Sequence, residues 1–149
     1  MYEITRQIDF CYGHRLLNYE GKCRYLHGHN GRVFITLRSE SLDDRGMVLD
    51  FGDIKHVVAG WIDENLDHRM LLHRDDPAVP LLQELGEPLF LMDCNPTAEN
   101  IARTIFEFAQ HHGFPVVETR LWETPHCFAA WRPSLQKKSS DRHCSGGPS

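Results

Sequence analysis

The 149-residue sequence lacks a long apolar run, a signal-peptide pattern and an excess of basic residues. Its apolar stretches are only a handful of residues long, which excludes a helix that crosses a bilayer. The first ten residues, MYEITRQIDF, alternate like a strand and do not form a basic region followed by an apolar core, so we expect a cytoplasmic location. A formal net charge of −5 provides no overall field that would gather nucleic acid. We therefore predict neither a membrane nor a nucleic-acid partner.

Closely spaced cysteine pairs are also missing. The sequence has no CxxC, and its five cysteines are Cys11, Cys23, Cys94, Cys127 and Cys144. An odd number of well-separated cysteines argues against a disulfide framework, a thiolate zinc knuckle and a thioredoxin-like pair. Histidine, in contrast, is abundant, with ten residues in a chain of this length. The histidines are therefore the first place to look for chemistry.

Hydrophobic alternation predicts four strands, at about 2–14, 32–38, 116–123 and 127–131. Residues 15–30 are polar and contain glycine, so we expect them to form a loop. The composition is that of one globular domain, which we place at residues 1–133. The serine-, glycine- and lysine-rich tail, residues 134–149, has nothing to bury and is predicted to be disordered.

Two helices are expected between the second and third strands. The first begins after the cap Asp50 and runs to about Leu66, and the second begins after the cap Thr97 and ends at Gly113. Between them, residues 68–95 form a long excursion punctuated by prolines, with a short helix near its middle. The order β-β-α-α-β-β predicts an α+β fold, with an antiparallel sheet and both helices on one face. Uncovered sheet edges favour self-association.

The segment LHGHNGRVFITL carries the strongest chemical signal. His27 and His29 are separated by one residue, so on an extended segment both side chains point the same way. Two imidazoles directed at one place suit zinc, and a third completes a site with one coordination position free for a substrate. His14 ends the first strand on its apolar parity and is the natural third ligand. The alternative is a pair of solvated loop histidines.

Two further groups are candidates for moving protons. Asp67 directly precedes His68, and a carboxylate beside an imidazole can orient it for proton transfer. Cys23 lies four residues before His27, between two basic residues that suit a thiolate base or nucleophile. Alternatively, the Asp–His pair is merely exposed at a helix end, and the cysteine is an incidental loop thiol. The residues alone leave both possibilities open.

Taken together, six segments resemble the family of 6-pyruvoyltetrahydropterin and 6-carboxytetrahydropterin synthases. In order they are FCYGHRL, KCRYLHGHN, GMVLDFGDIK, LDHRML, NPTAENIA and LWETPHCFAAW. They extend from His14 to Trp131, which is nearly all of the expected folded part. The resemblance implies the tunnelling fold, in which β-β-α-α-β-β subunits join their sheets into a barrel, commonly as a homohexamer made of two trimers.

The resemblance also implies roles for individual residues. The implied zinc ligands are His14, His27 and His29. The implied catalytic residues are Cys23 as general base and Asp67 with His68 as a proton-relay pair. Glu123 would anchor the pterin ring through its ring nitrogens, and Thr124 would assist it. Candidates for holding a triphosphate are Lys22, Arg24 and Arg32.

The implied substrate is 7,8-dihydroneopterin triphosphate, whose hydroxylated side chain must lose protons and triphosphate. Zinc suits this chemistry as a Lewis acid at the side-chain oxygens, while a thiolate and an imidazole move protons in sequence. A carboxylate suits the donor-rich edge of a pterin because it accepts two hydrogen bonds at once. The residue types and the implied reaction therefore agree.

Within the family, spacing favours one branch. Only Arg24, Tyr25 and Leu26 lie between Cys23 and HGH, as in the bacterial carboxy enzymes of queuosine (deazapurine) biosynthesis. The expected product is 6-carboxy-5,6,7,8-tetrahydropterin, formed with loss of acetaldehyde and triphosphate. The alternatives are a 6-pyruvoyltetrahydropterin synthase and a non-catalytic pterin- or zinc-binding module of the same fold. A zinc hydrolase is disfavoured because the sequence has no HExxH motif.

Three features depart from the family pattern. FCYGH puts larger side chains where small residues usually precede the first histidine, so that Tyr12 stands two residues before His14. Gly31 occupies a position where an aromatic residue often follows HGHN. The segment 69–95 is longer than in the compact bacterial enzymes, which predicts a difference in substrate access or specificity.

Overall fold

Alternating apolar and polar side chains build two long central strands, β1 (Tyr2–His14) and β2 (His27–Ser39). In this computed structural model, which describes residues 1–134, the two strands pair antiparallel from one end to the other. The prediction for β1 is confirmed. The prediction of a loop as far as residue 30 is wrong, because residues 27–31 pair with the end of β1. The loop itself contains one 3₁₀ turn, Lys22–Arg24.

Four shorter strands complete a six-stranded sheet: β3 (Arg69–His73), β4 (Leu89–Met92), β5 (Val116–Thr124) and β6 (Cys127–Trp131). The strand order is β4-β3-β1-β2-β5-β6. β5 and β6 confirm the last two predicted strands, and the pairs β1–β2, β2–β5 and β5–β6 are antiparallel. β3 and β4 lie in the excursion; β3 pairs in parallel with β1, and β4 pairs in parallel with β3. The excursion therefore widens the predicted sheet by two strands.

Helical residues lie between β2 and β5. The first helical segment joins α1 (Phe51–Ile54), a π-helical stretch (Lys55–Ala59) and α2 (Gly60–Asn65) without a break. The short α3 (Ala78–Glu84) falls in the excursion, and α4 (Ala98–His111) precedes β5. Both predicted caps are confirmed: Asp50 accepts a hydrogen bond from the Gly52 amide at 2.7 Å, and Thr97 accepts one from the Asn100 amide at 3.2 Å.

The helices bury one face of the sheet, as predicted for the α+β class. Ile54, Val58 and Ile62 of the first helical segment join Ile101 and Ile105 of α4 in a single apolar cluster. The cluster also contains alternate residues of the two central strands, namely Phe10, Tyr12, Val33, Ile35 and Leu37. This burial sets the register, because a shift by one residue would turn the apolar side chains outward. Among residues 1–134, every helix is too short or too polar to traverse a lipid bilayer. The predicted tail lies, apart from Ser134, outside the described residues.

An ion pair between Arg15 and the buried carboxylate of Asp76 connects the end of β1 with the excursion. The Arg15 Nε donates to Asp76 Oδ2 at 2.7 Å, and a second guanidinium N–H contacts the other carboxylate oxygen. The Asp76 side chain is fully buried and also accepts a hydrogen bond from the Ala78 amide at 2.8 Å. The hydrogen bond from Arg15 lowers the pKa of Asp76. The pair therefore stabilises the fold while the carboxyl group is ionised.

We expect Asp76→Asn to lower the free energy of unfolding by about 2–3 kcal/mol near neutral pH, because it leaves the partly exposed Arg15 without its counter-ion. The pKa of Asp76 is lower in the folded state than the ordinary value of 3.8. This stabilisation is therefore present above that value and is lost as the pH falls through the folded pKa. Urea unfolding should show the difference between variant and parent shrinking in acid.

The matched control is Asp93→Asn, because the ion pair between Asp93 and Arg74 is solvent-exposed. We expect that substitution to change stability little at any pH, because solvent screens an exposed ion pair. Equal losses from the two variants would contradict a special role for the buried pair.

Candidate metal centre and adjoining cavities

The three predicted metal ligands meet where β1 and β2 end together. His14 lies opposite His27 in the strand register, and His29 lies two residues farther along β2. Ligand atoms of the three imidazoles all lie within 4.8 Å of one another. The ring centroids are 4.5 Å apart for His14 and His27, and 5.0 Å apart for each of the other two pairs. The structure thus brings together the three histidines that the sequence singles out.

Backbone carbonyl groups set the orientation of two of these rings. The Nδ1 of His14 lies 2.7 Å from the carbonyl oxygen of Pro96, and the Nδ1 of His27 lies 2.7 Å from that of Tyr25. A carbonyl oxygen can only accept, so each Nδ1 must carry the proton and each Nε2 must present a lone pair. This is how proteins commonly fix the tautomer of a metal-binding histidine.

The two Nε2 atoms give the strongest indication that the histidines form a cation site. Among the described residues, the Nε2 atoms of His14 and His27 are buried side-chain atoms without a hydrogen-bond partner. Leaving such atoms unpaired is costly, so native structures rarely do it. A cation between the rings would accept both lone pairs. Three nitrogen donors with one position free are the ligand set of catalytic zinc sites, so the residues fit that ion.

Burial favours the neutral form of two of these imidazoles, His14 and His29. Burial lowers the pKa of His14 and of His29, although the nearby Glu123 carboxylate partly opposes the effect in both cases. A metal binds the neutral ring and competes with the proton, so a lowered pKa favours binding of a metal at neutral pH.

Glu123, the predicted anchor, lies beside the histidine cluster near the end of β5. One carboxylate oxygen, Oε1, lies 3.7 Å from the Nε2 of His14 and accepts a hydrogen bond from the Tyr12 hydroxyl at 2.8 Å. Burial raises the pKa of the Tyr12 hydroxyl, and Glu123 raises it further, so the group stays protonated and donates. In the sequence, Tyr12 stands out only as a departure from the family pattern. Its even position in β1, two residues before His14, was the available signal.

Glu123 lines two cavities at once. The larger one, of about 960 Å³, is also lined by His29, Asp67 and the predicted assistant Thr124. The smaller one, of about 210 Å³, is also lined by His14 and Cys23. The carboxylate therefore faces a space large enough for a small ring system and a second space that contains the predicted base.

The candidate general base lies in the same small cavity as one of the candidate metal ligands. Cys23 is half-buried in the 3₁₀ turn, and its carbonyl oxygen accepts a hydrogen bond from the Leu16 amide at 2.8 Å. It shares the smaller cavity with His14 and Glu123. The loop thus places Cys23 in one cavity with a candidate metal ligand and the candidate anchor.

The predicted relay pair is formed. Asp67 Oδ2 lies 2.8 Å from the Nδ1 of His68, and Asp67 Oδ1 accepts a hydrogen bond from the Cys11 amide at 2.8 Å. His68 has a left-handed backbone with φ of 56°, and its side chain is 79% exposed. Asp67 lines the larger cavity, whereas Cys23 lines the smaller one. Joint action of these groups therefore stays a prediction.

The three candidate cations for a triphosphate occupy different environments. Arg32 lines the larger cavity and pairs with Asp9, with 3.0 Å between Nε and Oδ1. Arg24 instead donates to the Tyr25 hydroxyl at 2.6 Å and lies over that ring. Lys22 is exposed in the 3₁₀ turn. Arg32 is therefore the only one of the three that contributes to a described cavity.

Comparison with known proteins gives a consistent result. A family model described as 6-pyruvoyl tetrahydropterin synthase matches residues 3–134. The chain is similar to a 6-carboxy-5,6,7,8-tetrahydropterin synthase from Rickettsia bellii, with 41% identity over 135 residues that cover 86% of this chain and 98% of the relative. A relative of the same name from Haemophilus influenzae is 32% identical over 140 residues, covering 89% and 99%.

Solved structures agree on the fold. An uncharacterized protein from Wolinella succinogenes superposes with a TM-score of 0.77 at 31% identity, covering 88% of this chain and 97% of that one. The 6-pyruvoyl tetrahydropterin synthase of Caenorhabditis elegans superposes with a TM-score of 0.67 at 25% identity, covering 89% and 96%. These neighbours confirm the predicted tunnelling fold of the chain.

Proposed function

The chain belongs to the 6-pyruvoyl tetrahydropterin synthase family, and on that premise we propose that it is a zinc-dependent 6-carboxy-5,6,7,8-tetrahydropterin synthase. This lyase would convert 7,8-dihydroneopterin triphosphate and one water molecule to 6-carboxy-5,6,7,8-tetrahydropterin, acetaldehyde and triphosphate, a step of queuosine biosynthesis. The observation that carries the proposal is the convergence of three imidazoles with two buried, unpartnered nitrogens among the described residues. The names of the relatives support the choice of product.

The metal site accounts for part of the chemistry. Zinc, when bound by His14, His27 and His29, would supply Lewis-acid polarisation of the oxygens of the substrate side chain. The protein contributes the orientation, because two backbone carbonyls hold the rings of His14 and His27 with their Nε2 atoms free. The described geometry thus supports a preformed cation site.

Binding of the pterin ring would depend on Glu123. Its carboxylate offers the acceptors that two neighbouring N–H groups of a pterin require, and it faces the larger cavity. Phe34 and Trp122 also line this cavity and provide apolar surface for a flat ring. Thr124, the next residue along the strand, lines the same cavity and would assist the anchor.

Proton transfer would fall to Cys23 and to the Asp67–His68 pair. Cys23 shares a cavity with the metal ligand His14, so a thiolate there can take a proton from the substrate side chain. Asp67 accepts from the imidazole of His68 and would hold it for the second transfer. Arg32 is the cation that we assign to the triphosphate, because it lines the larger cavity.

We also propose that the working form is a homohexamer of two trimers, whose sheets join into a barrel. On one side of β1, β3 pairs with residues 12–14. Within residues 1–134, the same side of β1 has no partner strand along residues 2–11. β6 is the strand at one border of the same sheet. Open edges of this kind favour pairing between subunits. The cytoplasmic location stays a prediction from the sequence.

Product analysis tests the proposed reaction. Incubation with 7,8-dihydroneopterin triphosphate should release acetaldehyde and yield a pterin with the mass of the 6-carboxy product, because the metal, base and anchor together allow cleavage of the side chain. A product that has lost triphosphate but keeps all three carbons of the side chain, without acetaldehyde, would identify a 6-pyruvoyltetrahydropterin synthase instead. No turnover by metal-loaded protein that still binds the pterin would indicate a non-catalytic module. The Cys23→Ala variant serves as the control for spontaneous breakdown.

A further inference from the structure

We propose that Tyr12 is a positioning residue that fixes the Glu123 carboxylate for binding of the pterin, and that Gly31 makes room for it. The inference rests on the proposed function, because it assigns Tyr12 a role through the proposed anchor. Tyr12 and Gly31 are two of the departures from the family pattern, and the structure joins them into one feature.

The Tyr12 ring is held from several sides. It is 3% exposed, it stacks on Phe10 with ring centroids 5.3 Å apart, and its centroid lies 5.2 Å from that of His14 and 5.7 Å from that of His29. A ring enclosed in this way has little freedom to turn. Its hydroxyl therefore stays within 2.8 Å of Glu123 Oε1.

Glu123 needs such a constraint. Its side chain is flexible and still 23% exposed, and the oxygen that accepts from Tyr12 lies only 3.7 Å from the Nε2 of His14. A cation at the imidazoles would attract a free carboxylate and draw it from the pterin. The hydrogen bond from Tyr12 opposes this movement. Each carboxylate oxygen has a second lone pair, so Glu123 retains acceptors for two pterin N–H groups.

Gly31 provides the space that the Tyr12 ring occupies. It lies opposite Phe10 in the β1–β2 register, next to the Tyr12 ring. A Cβ added at Gly31 would lie 2.8 Å from Cε1 of Tyr12, which is closer than real side chains approach. An alanine at this position must therefore push the ring and shift its hydroxyl. The φ of Gly31 is not in the left-handed region, so the backbone does not require glycine at this position. The contact with the Tyr12 ring is what excludes a larger residue.

The Tyr12→Phe variant tests the role of the hydroxyl while it preserves the packing of the ring. We expect KM for the dihydropterin triphosphate to rise about tenfold with a smaller change in kcat, because a hydrogen bond to a charged group is lost. The dissociation constant of neopterin, an oxidised pterin used here as an unreactive probe, should rise by the same factor. The content of bound zinc should stay unchanged. Tyr2→Phe, at the half-exposed start of the same strand, is the matched control.

Glu123→Gln separates this inference from the proposed function. If that variant binds neopterin as tightly as the parent protein, Glu123 is not the anchor and the proposed function loses its binding site. If it binds weakly while Tyr12→Phe binds normally, the role of Tyr12 is overturned and the function stands.

A double-mutant cycle tests the link to Gly31. Gly31→Ala should raise the dissociation constant of neopterin in the parent protein but add little in the Tyr12→Phe background, because its effect acts through the displaced hydroxyl. Full additivity of the two substitutions would overturn the coupling between Gly31 and Tyr12.

Discussion

Replacement of His29 by alanine should leave the purified protein with little bound metal and lower turnover by at least about a thousandfold. Within residues 1–134, His29 supplies one of the three histidine donors that all lie within 4.8 Å of one another. Two donors bind a divalent cation much more weakly than three, and the Lewis-acid contribution is lost with the ion. We choose His29 because the rings of His14 and His27 also form hydrogen bonds with backbone carbonyls.

Metal analysis by mass spectrometry and turnover should be measured on the same preparation. His111→Ala is the matched control, because His111 is the exposed last residue of α4, at the end away from the residues that contact His14. We expect the control variant to retain both metal and activity. Circular dichroism should show that the strands of the His29→Ala variant persist. A variant without metal that turns over normally would contradict the proposed mechanism.

Replacement of Cys23 by alanine should lower turnover by about 10²- to 10⁴-fold, which is the usual contribution of a positioned general base. Metal content and affinity for an unreactive pterin should not change, because the thiol belongs neither to the ligand set nor to the predicted anchor. The prediction thus separates chemistry from binding, whereas loss of His29 removes the metal and turnover together.

Cys127→Ala is a demanding control for this experiment, because Cys127 lines the same small cavity as Cys23. Geometry alone does not decide between two thiols of one cavity, although the family pattern points to Cys23. We expect the Cys127→Ala variant to remain active. If it loses turnover and Cys23→Ala does not, the base must be reassigned to β6.

Local sequence predicted the elements whose side chains carry their own pattern. β1, β5 and β6 show alternation, and the two main helical segments begin at the capping residues Asp50 and Thr97. The start of β2 could not be predicted in this way, since HGHNG is polar and rich in glycine. Its extended conformation comes from pairing with β1, a partner that is distant in the sequence. β3 and β4 could not be predicted from local sequence either. Their apolar runs are short, and they become strands by pairing with the end of β1 and with each other in the folded chain.

The candidate site likewise contains residues that local spacing predicts and contacts that only tertiary packing creates. His27 and His29 could be identified because their spacing alone directs both rings to one side of a strand. The contact between Tyr12 and Glu123 joins residues that are 111 positions apart, so no local pattern contains it. The partition of Cys23 and Asp67 between two cavities likewise depends on tertiary packing.

The hydrogen bond between His14 and the Pro96 carbonyl links binding of a metal to folding of the chain. Pro96 directly precedes Thr97, the cap of α4, and lies 82 positions from His14 along the chain. A cation bound by the three imidazoles would therefore also hold the residue before the cap of α4 against the end of β1, and so close a long loop of the chain. Binding of the ion would then be coupled to docking of α4 on the sheet, so that metal-loaded protein would also hold this helix more stably in place.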